Sequence, residues 1–210
     1  MVAEAVRAGV ELDLIAVREG DKSPIRGPRL TFTRRLFDKV AQTTTPQGVM
    51  AIARVHEASP DEAIAAARAA GWPLVVLDRV QDPGNVGAIC RSAAAAGAPA
   101  LAVLEGCADP FGPKAVRASA GNVFRLVVAR ARWKDLEGLD AYGAASTGGV
   151  PLAEAPVETA GMVVLGSETH GLSRKDLRLV TIPLSDGVES LNVAAAAAVI
   201  LFEIRRRMAA

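Results

Sequence analysis

The sequence predicts an α/β protein built on an open parallel sheet with helices on both faces. Six short, continuous apolar runs follow Pro73, at residues 74–78, 100–104, 125–129, 141–145, 162–166 and 179–184. Runs in which apolar and polar residues do not alternate are typical of strands buried on both faces. Helical segments fit between most of these runs, at residues 84–96, 112–120, 133–138 and 191–207. Because ligands of such sheets bind beyond the carboxyl ends of the strands, we expect the functional site there.

A smaller α/β unit is predicted ahead of this sheet. Residues 12–17 and 48–53 have the composition of strands, and residues 33–41 have the amphipathic pattern of a short helix. These three elements come before the pattern changes at Pro73. We therefore expect them to form a separate domain.

The boundary between the two domains is marked by a helix start. The sequence Ser59-Pro60-Asp61-Glu62 combines a capping box with proline at the first helical position, so it predicts a helix through Ala70 that stops at Gly71. The polar stretch just before this helix is the expected linker. The predicted organisation is a first domain at residues 1–55, a linker and leading helix at 56–72, and a second domain at 73–210.

Length, composition and cysteine usage predict a globular protein of the reducing cytoplasm. The chain has 210 residues, of which 50% are hydrophobic, enough for one full domain and a small second one. No apolar run is long and charge-free enough to span a bilayer, and residues 1–10 lack the apolar region of a signal peptide. Cys90 and Cys107 have neither CxxC spacing nor enough partners for a disulfide framework or a zinc site.

The formal net charge of +1 hides an uneven distribution. Residues 1–54 carry nine Lys and Arg against six Asp and Glu, whereas the remainder carries fifteen against seventeen. Six basic residues nevertheless lie between Lys114 and Lys134 with no acidic residue among them. A local basic patch of this kind can bind RNA phosphates, although a solvated surface has the same pattern.

The first motif, residues 82–91, follows a predicted strand and opens a helix. Its sequence is Asp-Pro-Gly-Asn-Val-Gly-Ala-Ile-Cys-Arg. Glycine and asparagine at such a turn let backbone amides and a small polar side chain approach a bound group, and Arg91 can reach back along the helix toward Asn85. The G-x-x-G spacing does not match the G-x-G-x-x-G dinucleotide fingerprint, which disfavours a nicotinamide-dependent oxidoreductase. Taken alone, the motif is equally typical of a helix cap followed by a surface arginine.

The second motif, residues 165–173, lies between glycines at the end of another predicted strand. A carboxylate (Glu168), hydroxyls and an imidazole (His170) in this turn can contact a ligand. The alternative is a helix start capped by Ser173, with His170 exposed. Since His56 is the only other histidine and no cysteine lies nearby, neither a metal site nor a Ser-His-Asp triad is predicted.

The third motif, residues 182–194, joins a predicted strand to an almost wholly apolar helix. Polar residues are confined to the turn before and at the start of that helix, where Ser190 and Asn192 lie. A helix of this kind is anchored in the core and presents only its first turn to a site. We expect Ser190 to cap the helix.

Together, the three motifs resemble motifs 1, 2 and 3 of the SpoU/TrmH branch of the SPOUT RNA methyltransferases. Their order, spacing and strand-loop-helix context agree over residues 73–207. The smaller first part resembles the L30e-like substrate-binding domain that precedes the catalytic domain in many members. Residues 2–9 resemble the helix that follows an extra segment in those members, so this domain is expected to be truncated.

The resemblance implies a fold, a cofactor and a reaction. Members carry a C-terminal trefoil knot, here expected at residues 161–207, and work as homodimers whose site lies near the interface. They bind S-adenosylmethionine largely through backbone groups and methylate a ribose 2′-hydroxyl, most often in ribosomal RNA and otherwise in transfer RNA, without a metal. The implied cofactor residues are Ser146, Thr147, Leu165, Gly166, Ile182, Leu184 and Leu191. The implied catalytic residues are Asn85, Arg91, Glu168, Ser190 and Asn192.

Arg91 is the leading catalytic candidate by this resemblance, but a guanidinium gives up its proton too reluctantly to serve as a base. We therefore hypothesise that Arg91 binds the target phosphate and lowers the pKa of the hydroxyl, while Asn85 and Asn192 orient it and the substrate. Glu168 would pair with a cationic group or an amide. The alternative is a ribosome-associated RNA-binding protein that keeps the knotted fold without catalysis.

Overall fold

The computed structural model describes residues 1–41, 45–167 and 170–209, and it divides into two compact units, Met1–His56 and Glu57–Ala210. Among the described residues, none of the helices has the length and apolarity needed to cross a bilayer.

The smaller unit is a three-stranded sheet with two short helices. Its elements are α1 (Val2–Arg7), β1 (Leu12–Arg18), β2 (Arg29–Phe32), α2 (Arg34–Val40) and β3 (Val49–Ala53). The strand order is β2-β1-β3, with β2 parallel and β3 antiparallel to β1. Ile15 and Phe37 are fully buried, so one apolar side chain from the central strand and one from α2 hold the unit together. The predicted strands and helix are confirmed, whereas β2 was not predicted because its side chains are mostly exposed.

The larger unit is a seven-stranded sheet in which every described pairing is parallel. Its strands are β4 (Leu74–Asp78), β5 (Ala100–Val103), β6 (Val127–Arg130), β7 (Ala141–Ala145), β8 (Val150–Pro151), β9 (Met162–Gly166) and β10 (Arg178–Thr181). Its helices are α3 (Pro60–Ala69), α4 (Pro83–Ala96), α5 (Pro113–Ala118) and α6 (Val193–Met208). The order β6-β5-β4-β9-β7-β10-β8 places β4, β9, β7 and β10 side by side.

Two apolar clusters cover the two faces of this sheet, as predicted. Leu74 and Val76 of β4 pack with α3 on one face, and Val75 and Leu77 pack with α4 and α6 on the other. This alternation follows from the pleat of the strand, which sends successive side chains to opposite faces. The α3 start is confirmed, since the Ser59 side chain accepts from the Glu62 amide and Glu62 accepts from the Ser59 amide.

Several predicted boundaries are wrong. The strand predicted at 125–129 begins at Val127, because Asn122–Arg125 form a 3₁₀ turn, and the segment predicted as a helix at 133–138 is also a 3₁₀ turn, Trp133–Leu136. The run predicted at 179–184 leaves the sheet after Thr181, shortly before Pro183. Proline has no amide hydrogen for a ladder bond, and β10 is paired on both sides.

Candidate functional site

The three motifs meet at one edge of the sheet. Strands β4, β9 and β10 end at Asp78, Gly166 and Thr181, and each motif begins at or just after one of these ends. Because the strands are parallel and lie within four neighbouring positions, their carboxyl ends face the same edge. The three motifs therefore lie at the edge of the sheet where the functional site was predicted.

A first cavity of about 460 Å³ opens at this edge. Its volume is in the range of small-molecule sites, roughly 300–1,000 Å³. All seven residues predicted to bind a cofactor line it, and Ser190 lines it as well: Ser146, Thr147, Leu165, Gly166, Ile182, Leu184, Leu191 and Ser190. The lining combines aliphatic side chains with hydroxyls and backbone groups, a composition suited to a ligand with both an apolar ring system and polar substituents.

Gly166 explains why the second motif begins with glycine. A Cβ built on Gly166 would lie 2.7 Å from the carbonyl carbon of Gly171 and 2.9 Å from the amide nitrogen of Leu172. The chain returns across Gly166 because Ser167 and Gly171 exchange backbone hydrogen bonds of 2.8 and 3.2 Å. Backbone cannot give way as a side-chain end can, so this wall of the first cavity requires glycine at 166.

Sequence reasoning missed part of the first cavity. The segment that follows the second motif contributes Arg174 and Lys175, and Gly171 and Leu172 of the motif also line the cavity. Arg174 Nε donates to Asp176 Oδ1 at 2.8 Å, and this hydrogen bond is the main cause that lowers the pKa of Asp176 to about 2. The adjacent basic residues Arg174 and Lys175 could have indicated this part of the cavity from the sequence. They lie outside the motifs that carried the resemblance.

Asn192 connects the first and third motifs. Its Nδ2 donates to Asn85 Oδ1 at 3.2 Å, and its Oδ1 accepts from the backbone amides of Ala194 and Ala195. Asn192 is therefore the N-cap of α6, and the prediction that Ser190 caps this helix is wrong. A capping side chain must sit directly before the first helical residue, and Ser190 lies two positions too early.

Arg91 is exposed on α4, one turn beyond Gly87. It does not line the first cavity, and within the described parts of the chain its guanidinium has no hydrogen bond or ion pair. Gly87 lets α4 approach α5, since a Cβ there would lie 2.3 Å from the Ala115 carbonyl oxygen. Arg91 therefore lies on a closely packed helix, and its guanidinium is available to bind a ligand.

The start of α4 carries an ion pair. Lys114 Nζ lies 2.7 Å from Asp82 Oδ1, and this hydrogen bond is the main cause that lowers the pKa of the Asp82 carboxyl. Asp82 occupies the N-cap position and Pro83 the first helical position, so α4 begins one residue before the start predicted at 84.

The second motif is not a helix start. Ser173 donates its amide to the buried Asp78 carboxylate at 2.6 Å, and its hydroxyl accepts from the Trp133 indole at 2.9 Å. The alternative in which Ser173 caps a helix is therefore wrong, because no helix follows it before β10. The predicted catalytic residue Glu168 lies outside the described residues.

Comparison with known proteins identifies the family. The model of the SpoU rRNA Methylase family matches residues 73–202. The chain is 36% identical over 180 residues, 80% of its length, to 23S rRNA (guanosine(2553)-2′-O)-methyltransferase RlmP of Bacillus subtilis, of which it covers 69%. It is 32% identical over 211 residues to an uncharacterised tRNA/rRNA methyltransferase of Synechocystis, covering 89% of the chain and 73% of that relative.

Two solved structures share the fold over nearly the whole chain. One is the SpoU methyltransferase AviRb from Streptomyces viridochromogenes in complex with AdoMet, with a TM-score of 0.82, 26% identity, and coverage of 99% of this chain and 87% of that one. The other is an AdoMet-bound rRNA methyltransferase from Sinorhizobium meliloti, with a TM-score of 0.82, 28% identity, and coverage of 99% and 84%. The chain belongs to the SpoU rRNA methylase family and is an RNA methyltransferase.

Proposed function

We propose that this protein transfers the methyl group of S-adenosylmethionine to the 2′-hydroxyl of a ribose in ribosomal RNA. The observation that carries the proposal is the first cavity, which the second and third motifs line together, with the first motif hydrogen-bonded to the third through Asn85 and Asn192. The RlmP relative is named for the same reaction on 23S rRNA. No observation favours the alternative of a non-catalytic RNA-binding protein.

The first cavity suits S-adenosylmethionine. Leu165, Ile182, Leu184 and Leu191 supply the apolar surface that an adenine ring needs. The hydroxyls of Ser146, Thr147 and Ser190, together with the close backbone at Gly166, supply hydrogen-bonding groups for the ribose and the amino-acid part. When bound, the cofactor supplies an electrophilic methyl on a sulfonium, so the protein needs only to position the hydroxyl and help remove its proton.

Arg91 supplies the charge for that step. Its guanidinium is exposed and has no partner among the described residues, so it can bind the target phosphate and stabilise the developing alkoxide. The proton then passes to that phosphate or to water, since arginine itself does not deprotonate. Asn85 and Asn192 orient Arg91 and the substrate through their shared hydrogen bond.

The larger unit carries the trefoil knot at residues 161–207 in this proposal. Two observations support it. Strand β9 lies between β4 and β7, so a later part of the chain enters the sheet between two strands that come earlier in the sequence. The end of α6 is also bound by earlier segments, with Arg205 donating to the Ala95 and Ala96 carbonyls and Arg207 to the Leu152 and Ala155 carbonyls. Such threading is rare in proteins.

The smaller unit is the L30e-like domain that binds the RNA substrate. Its support is the mixed three-stranded sheet with α1 and α2, and the positive balance of residues 1–54. Positive charge on a small domain favours contact with the phosphate backbone.

The reaction is tested by incubating the purified protein with S-adenosylmethionine labelled in its methyl group and unmodified 23S rRNA. We expect label in the RNA at a ribose, detected as one phosphodiester bond that resists alkaline hydrolysis because its 2′-oxygen is methylated. Label on a base would contradict the 2′-O assignment. RNA binding without any methyl transfer would favour the non-catalytic alternative.

We also propose that the protein is a homodimer that associates through α6. Val199 and Phe202 lie three residues apart on this helix, hence on one face, and are 44% and 48% exposed. We expect Phe202→Asp to give a monomer in sedimentation, because a charge on an apolar interface is strongly disfavoured. The control Ile52→Asp alters an exposed apolar side chain of the smaller unit and is expected to leave the dimer intact. A Phe202→Asp protein that sediments as a dimer contradicts the proposal.

A further inference from the structure

A second cavity, of about 580 Å³, lies at the same carboxyl edge of the sheet. It is lined mainly by residues that directly follow β4, β5 and β6, whereas the first cavity lies against β7, β9 and β10. The second motif also lines it, through Ser173. None of the residues predicted to bind the cofactor lines this second cavity, so it is a separate feature of the larger unit.

We propose that the second cavity binds a nucleotide of the substrate RNA adjacent to the methylated ribose, with a base against Trp133 and a phosphate on Arg79 and Lys134. The inference rests on the proposed function and extends it from the reacting ribose to its neighbour. An aromatic ring beside basic side chains is the combination with which proteins bind single-stranded RNA.

The charges of the second cavity favour an anion. Arg79 and Lys134 are exposed and have no ion-pair partner among the described residues, whereas Arg132 is paired with Asp135. Two acidic residues, Asp78 and Glu105, also line the cavity. Asp78 is buried, and its carboxylate is already hydrogen-bonded to the Ser173 amide. The second cavity is therefore lined by two cationic side chains available to an anion, Arg79 and Lys134, and by one exposed carboxylate, Glu105.

Trp133 supplies the aromatic surface. Its ring is partly buried against the apolar cluster beneath the sheet, and its N–H donates to Ser173 Oγ at 2.9 Å. The Arg174 guanidinium lies over one face of the ring, 5.3 Å from its centroid, so a base must stack on the part of the ring that remains exposed. These contacts hold the indole in one orientation, so a base that binds there meets a surface that is already ordered.

The fold places Arg79 at this cavity. Arg79 has a φ of +58°, a left-handed backbone conformation that residues other than glycine and asparagine rarely adopt. The turn is held by the Cys107 thiol, which accepts from the Val80 amide and donates to the Leu77 carbonyl, both at 3.3 Å. Gly106 lies beside the Arg79 side chain and has a φ of +86°, a left-handed conformation that favours glycine.

The two cavities share a short wall. Leu172 and Arg174 line the first cavity, and Ser173 between them lines the second. A nucleotide in the second cavity is therefore separated from a cofactor in the first cavity by a single backbone segment, residues 172–174. This position suits the neighbour of the ribose that receives the methyl group.

The chain contains only two tryptophans, which gives a direct probe. In a Trp72→Phe background, all indole fluorescence comes from Trp133. We expect a single-stranded RNA hexanucleotide of mixed sequence to change this emission saturably. Lys134→Gln in the same background should weaken the binding several-fold and reduce its salt dependence, because one phosphate contact is lost. Arg68→Gln is the matched control, because it removes one charge from the far end of α3, which precedes the amino end of β4.

Two further variants separate the contribution of the Trp133 ring to RNA binding from that of its hydrogen bond to Ser173. Trp133→Phe keeps an aromatic side chain but loses the N–H that contacts Ser173, and Trp133→Leu loses both. Anisotropy of the same RNA carrying fluorescein should show near-normal binding for Trp133→Phe and about tenfold weaker binding for Trp133→Leu. Equal weakening in both variants would overturn the base contact.

A parallel titration with S-adenosylmethionine, together with the methylation assay, distinguishes failure of the nucleotide site from failure of the proposed function. Unchanged Trp133 emission in a protein that binds the cofactor and methylates rRNA would overturn the nucleotide site and leave the proposed function standing. A Trp133 response in a protein that transfers no methyl group would overturn the proposed function, and the second cavity would then bind RNA without a methylated neighbour. Equal effects of Lys134→Gln and Arg68→Gln would also overturn the site, because binding would then follow charge alone.

Discussion

Replacing Arg91 with alanine is expected to slow methyl transfer at least about a hundredfold, the usual cost of removing one group that stabilises developing charge. Affinity for S-adenosylmethionine should not change, because Arg91 does not line the first cavity. The fold should not change either, since the side chain is exposed and has no partner among the described residues. Single-turnover rates with saturating RNA measure the chemical step, and calorimetric titration measures the cofactor affinity.

Two further variants sharpen the test of Arg91. Arg91→Lys keeps the charge but loses the planar fork that binds a phosphate through two hydrogen bonds, so it should recover only part of the rate. Arg68→Ala removes an exposed arginine from α3 and should leave the rate unchanged. Full activity of Arg91→Ala would show that the hydroxyl loses its proton by a route that does not involve this guanidinium.

Replacing Gly87 with alanine is expected to lower the free energy of unfolding by about 2 kcal/mol or more, the usual cost of overpacking. The added Cβ would lie 2.3 Å from the Ala115 carbonyl oxygen and 2.6 Å from the Ala118 Cβ, so α4 and α5 must separate. This separation would also displace Asn85 and Arg91 on the same helix. The measurement is the urea midpoint, with an unchanged slope showing that two-state behaviour persists.

Gly84→Ala is the matched control on the same helix. The nearest atoms to its Cβ would be those of the Asp82 carboxylate, at 2.8 Å, and this exposed group can rotate away at the small cost of its surface ion pair with Lys114. Alanine is favoured over glycine in a helix by up to about 1 kcal/mol, so this variant should be as stable as the parent or slightly more stable. Equal destabilisation by both substitutions would mean that the contact between α4 and α5 is not the cause.

The sequence predicted best the elements that are buried on both faces. The runs at 74–78, 141–145 and 162–166 became strands with those bounds. A parallel strand covered by helices on each side must be apolar throughout, so burial and sequence pattern coincide there. The edge strands β2 and β8 were missed, because an exposed edge places no such demand on its residues.

Element ends were predicted less well, since they depend on neighbouring groups. The assignment of the α6 cap to Ser190 failed because two polar residues lay within three positions, and either could have begun the helix. In the structure, Asn192 caps α6 and also reaches Asn85, which is 107 residues away along the chain. No local pattern indicates such a partner.

The sequence by itself determined the α/β class, the parallel sheet, the order of the three motifs and the family to which they point. The class and the sheet follow from hydrophobic periodicity, which acts over a few residues, whereas the family follows from the resemblance of the three motifs. Only the tertiary structure decided that residues of the second and third motifs line one cavity, that Asn192 joins Asn85, and that Arg79, Trp133 and Lys134 surround another. Such contacts arise when strands distant in the chain become neighbours in the sheet, and their free energy depends on packing that no short segment encodes.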